Sequence, residues 1–129
     1  MADDTYHIDI DARNGRAYVK AEGNISASKI QKTFFAIIMN NAWQKGDKSI
    51  LWDLKKVIFP ESFGFGDIFQ TAQLSKTVAK PGKSAVLVRS NSDMVKKVAN
   101  YYQAVATLST PRTIGIFFYH EEAMNWLDS

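Results

Sequence analysis

Asp53 and Glu61 are two carboxylates flanking a short loop, with Ser62 beside the second and Gly64 and Gly66 just beyond it. Two carboxylates in one site can divide acid and base roles. A strand-end aspartate also satisfies loop amides without doing chemistry. A catalytic serine needs a base within hydrogen-bond reach, and neither histidine, His7 nor His120, is local to Ser62. His120 follows the last apolar run and can approach the same sheet edge, because ligand sites in α/β folds gather at the C-terminal ends of strands. His7, Asp9 and Asp11 alternate on one strand face, a donor set that suits a metal ion. Charged residues on the solvent side of an edge strand are the favoured reading, because no further ligand is identifiable. Gly64-Phe65-Gly66 is too short to cradle a phosphate. This inventory predicts no catalytic residue, no metal and no cofactor.

The elements that must position these residues follow from hydrophobic period. Tyr6, Ile8 and Ile10 alternate with His7, Asp9 and Asp11, and Ala17, Val19 and Ala21 alternate within Arg16 to Glu22. Period two on both sides of Arg13-Asn14-Gly15 predicts a β-hairpin. Gly23-Asn24 is expected to break the strand. A helix is expected from Ser26 to Gln44, with Ser26 as N-cap, an Ile25–Ile30 staple and an inward face of Ile30, Phe34, Ile37, Ile38 and Ala42. Ser49 to Leu54 reads as an interior strand and Lys55 to Phe63 as a loop. Helices are expected over 65–79 and 93–108, a strand over 84–89, a strand over 113–119, and a closing helix over 121–127 with Ala123, Trp126 and Leu127 inward. The order is ββαβαβαβα: one α/β domain over residues 1–129, with a mixed, mostly parallel five-stranded sheet and four helices.

The chain of 129 residues is 46% hydrophobic and has no cysteine. That supports a packed core and excludes disulfides and thiolate metal sites. The acidic start and the absence of a long apolar run predict a soluble, cytoplasmic protein without a membrane span. Between Leu74 and Asn100 lie Lys76, Lys80, Lys83, Arg89, Lys96 and Lys97 against Asp93 alone. We read that zone as a solvated helix face and loop lysines, with no nucleic-acid partner.

Ile50 through Gly66 resembles the signature of STAS domains: an apolar strand ending in Asp53-Leu54, a short loop, then Glu61-Ser62-Phe63-Gly64-Phe65-Gly66 opening a helix. The element order agrees over nearly the whole chain, and Tyr119-His120-Glu121-Glu122-Ala123 resembles the family's closing strand-to-helix turn. The chain is also similar to bacterial SpoIIAA-like proteins. Glu61 stands where the family has Asp, Phe63 where it has a second Ser or Thr, and Phe65 where it has Leu. The resemblance implies the STAS fold and a non-enzymatic regulatory role of the anti-sigma-factor-antagonist type. The implied partner is a protein, a switch kinase or sigma-regulatory protein, and the implied phosphosite is Ser62. A phosphoserine at a helix N-terminus is favoured by the dipole and the free N–H groups, whereas an unmodified Ser62 is a plain N-cap. The partner- or ligand-binding loop is then Asp53, Glu61, Ser62, Phe63, Gly64, Phe65 and Gly66. Phe59, Phe63, Phe65 and Phe69 crowd one stretch, which keeps a small-molecule or lipid-binding module open as the alternative, and a homodimer is expected to cover any exposed aromatic patch.

Overall fold

The protein is described here by a computed structural model over residues 5–58, 81–89 and 112–129, with Asp93, Asn100 and Gln103 as single helical positions. The hairpin is β1 (Thr5–Ile10) and β2 (Ala17–Asn24), antiparallel, with Tyr6 opposite Ala21 and Ile10 opposite Ala17. Its turn depends on Gly15, which has φ +77 and stands so close to the Ala42 carbonyl that a Cβ would collide with it. Both facts select glycine.

β2 does not stop at Gly23. It continues through Gly23 and Asn24, which pair with Val57 and Ile58. The expected single helix is two: α1 (Ala27–Ile38) and α2 (Asn41–Lys45). The break has a local cause. Asn40 has extended backbone, and its side chain accepts from the Trp43 N–H at 3.1 Å, starting a new N-terminus. The turn carries Trp43, rather than the expected Ala42, fully into the core. Ser26 caps α1 as expected, accepting from the Lys29 N–H at 3.2 Å, with Ile25 buried and Ile30 packed beside it.

β3 (Ile50–Ile58) is longer than expected, so Lys55 to Ile58 are strand rather than loop. β4 is Gly82–Leu87, β5 is Arg112–Phe117, and α3 (His120–Asp128) closes the described chain. The sheet order is β1-β2-β3-β4-β5, with β2 to β5 parallel. The expected helices over 65–79 and 93–108 lie outside the described residues, apart from Asp93, Asn100 and Gln103. No described helix is long and apolar enough to cross a membrane.

Alternation divides the core between two sheet faces. On one, Ala17, Val19, Ile50, Trp52, Val86, Val88 and Ile114 pack with Phe34, Ile37 and Trp43 of α1 and α2. On the other, Leu51, Ala85 and Leu87 pack with Ala123 and Leu127 of α3. Each fully buried aliphatic or aromatic side chain stabilises by about 1.5–3 kcal/mol. Ile8 departs from the expected inward set and is partly exposed, as befits a position on an edge strand.

Candidate functional site

The parallel arrangement brings the C-terminal ends of β2, β3, β4 and β5 to one edge, the usual place for ligand and partner contacts in such sheets. Asp53 does not end its strand. It is the last β3 residue paired with β4, opposite Leu87. From Lys20↔Asp53 to Glu22↔Lys56, β2 advances two residues and β3 three, so β3 carries a bulge with one extra residue. The Asp53 carboxylate accepts from the Lys55 N–H there, at 3.2 Å. Its observed work is to satisfy the backbone of an irregular strand.

Beyond the bulge, β3 continues without β4 beside it. Arg89, just past β4, reaches across and donates from its guanidinium to the Val57 carbonyl at 3.0 Å. Its Nε is buried and has no acceptor among the described residues. The next strand is tied in by the Val88 N–H donating to the Phe117 carbonyl at 3.0 Å. Around these bonds the edge is apolar and open: Ile58 is 54% exposed, Phe118 37% and Tyr119 63%. Glu121 and Glu122 follow in the first turn of α3, where the helix dipole favours them.

His120 opens α3 and is exposed. It is not paired with Asp53. Phe117, three residues before it, shares a transverse row with Leu87 and Asp53, which puts β5 two strand spacings, or about 10 Å, from Asp53. Glu61, Ser62, Phe63, Gly64, Phe65 and Gly66 lie outside the described residues, as do Phe59, Phe69 and most of the basic zone. β1 is an edge strand with His7 and Asp9 exposed. Asp11 lies past its end, held by Arg13 through an ion pair at 3.0 Å and an N–H bond at 2.9 Å. These bonds lower its pKa.

At the opposite end of the sheet stands a cluster that sequence reasoning missed. Arg16 is only 3% exposed. It pairs with Asp128 of α3 at 2.9 Å and Asp47 at 3.9 Å, and donates to Ser49 Oγ at 2.9 Å. Ser49 donates in turn to Asp47 at 2.6 Å, and Trp43 Nε1 donates to the Ser49 carbonyl at 3.2 Å. Burial lowers the Arg16 pKa, but bonds to Asp128 and Tyr18 outweigh it, and the net shift is upward. Lys83 completes the hold on α3, donating to the Trp126 and Ser129 carbonyls at 3.0 and 2.7 Å. The available signal was the phase of Arg16, which shares a strand face with Tyr18.

No family model matches the chain, and no curated protein matches it. Among solved structures, an uncharacterized protein of the DUF3478 family with a SpoIIAA-like fold, from Shewanella loihica PV-4, superposes with a TM-score of 0.58. It is 15% identical, and the match covers 98% of each chain. The fold is therefore SpoIIAA-like.

Proposed function

We propose that this SpoIIAA-like domain is a non-enzymatic regulatory module of the cytoplasm, met by a protein partner at the C-terminal edge of its parallel strands. The observation that carries this reading is the open apolar surface of Ile58, Phe118 and Tyr119 at the strand ends. Large apolar side chains grouped at one edge favour an interface, and β3 leads directly from that edge into the segment that resembles the STAS signature. Ser62 is the candidate switch in that segment. A phosphate there would add close to two negative charges and three strong acceptor oxygens.

The test is photo-crosslinking in the cells that make the protein, from a reactive residue placed at Ile58, at Tyr119 or, as control, at His7 on the edge strand. One protein adduct shared by Ile58 and Tyr119 and absent from His7 supports the reading, and an adduct to a second copy makes the partner a homodimer. No adduct from either edge position overturns it. Mass mapping of the same protein assigns or removes the phosphate at Ser62.

A further inference from the structure

α1 and α2 hold Lys29, Lys32 and Lys45 and no Asp or Glu. The inward side of α1 is spent on the core through Phe34 and Ile37. Lys32, Phe35 and Met39 are spaced by three and four residues, so they form one line along the opposite side. Phe35 is 48% and Met39 76% exposed. To one side of this line, at Lys32, an open groove between β1 and α1 is lined by Tyr6, Lys29, Lys32 and Thr33. The face thus combines two protruding apolar side chains with the exposed Lys32 one turn before Phe35, Lys29 a further turn back, and no anion on the helix.

From that combination we propose that the outer face of α1 docks on an anionic lipid bilayer. Lys29 and Lys32 would sit at the headgroups, and Phe35 and Met39 at the acyl boundary. A helix with lysines beside exposed aromatic and aliphatic groups lies in the interface plane and binds through both terms. Each lysine near an anionic leaflet strengthens binding about fivefold. An acidic peptide has the same charge complementarity. The bilayer is favoured because Phe35 and Met39 stand out from a convex helix surface, whereas peptide helices dock into apolar grooves.

The test is sedimentation of the whole chain with vesicles of phosphatidylcholine alone and of phosphatidylcholine mixed with phosphatidylserine, at low and high salt. The protein is expected to pellet with the mixed vesicles at low salt and to be released by high salt. Lys32→Glu should weaken that binding roughly fivefold or more, and Phe35→Ser should weaken it at low salt although it leaves the charge unchanged. Lys32 is exposed, so its variant remains informative if Phe35→Ser fails to fold. Absence of pelleting with the mixed vesicles overturns the proposal, as does binding that neither variant reduces. Saturable binding of a soluble acidic amphipathic peptide without vesicle binding overturns it in favour of a protein partner.

Discussion

The two ends of the parallel sheet are built on opposite principles. At the N-terminal end, Arg16 is enclosed by Asp47, Ser49 and Asp128, and Lys83 holds the last turn of α3. At the C-terminal end, Arg89 reaches with one bond to Val57 on a stretch of β3 that β4 does not accompany, and Ile58, Phe118 and Tyr119 face outward. The first end joins the hairpin, the α2–β3 turn and α3 through charge-assisted bonds, which are about twice as strong as neutral ones. The second leaves apolar surface for contact. If a partner is met at the C-terminal edge as proposed, stability and recognition are separated along the strands, and substitutions at that edge need not unfold the domain.

The widest expected gap between the two ends is at their arginines. Arg16→Ala removes a buried cation from a shared network and should cost about 3 kcal/mol in urea unfolding. Asp47 and Asp128 are both well exposed and stay solvated, which keeps the loss at the low end of the range for broken buried pairs. Arg89→Ala should cost about 1 kcal/mol: it loses one bond but also removes a buried, unsatisfied Nε–H. Equal costs at the two sites would abolish the contrast.

The same contrast explains what could be read from the residues alone. The hairpin, the Ser26 cap and the closing helix follow from alternation, capping chemistry and an apolar stripe, all encoded within a few neighbouring positions. The Arg16 cluster is not local. Arg16 and Asp128 stand at nearly opposite ends of the chain and meet only because β2 and α3 share a sheet face. The length of β3 was hidden for a related reason. Lys55 and Lys56 look like loop residues, but β2 supplies ladder partners as far as Ile58, and tertiary pairing overrides weak strand propensity. The split of α1 from α2 was open to reading, since Asn40 is a preferred N-cap residue, but the apolar stripe runs across it. Of the candidate loop, only Asp53 lies within the described residues, and the bulge that occupies it becomes visible only once two strands are counted against each other.

A smaller effect is expected at the proposed recognition edge itself. Tyr119→Ala removes a side chain that is 63% exposed and should change stability by no more than about 0.5 kcal/mol. It should also reduce the crosslinked adduct formed from Ile58. If it unfolds the protein instead, the edge is part of the core and the division between the two ends fails.

The smallest effect separates a surface ion pair from the buried one at the same end of the sheet. Asp11 and Arg13 pair on the hairpin turn, with Arg13 largely exposed. The side-chain and backbone hydrogen bonds from Arg13 hold the Asp11 pKa below its ordinary value. A carboxylate whose pKa is lower folded than unfolded stabilises the fold above its unfolded pKa. That contribution disappears as pH falls through the folded value. In an NMR titration, the Asp11 carboxyl midpoint should lie below the usual aspartate range, and Arg13→Ala should return it toward about 3.9. Added salt should do part of the same, because an exposed pair is screened. The Arg16 network, enclosed and multiply bonded, should hold its pairing with Asp128 through the same salt increase. If salt released Arg16 as readily as Arg13, burial would not be what distinguishes the two arginines, and the large cost expected for Arg16→Ala would lose its basis.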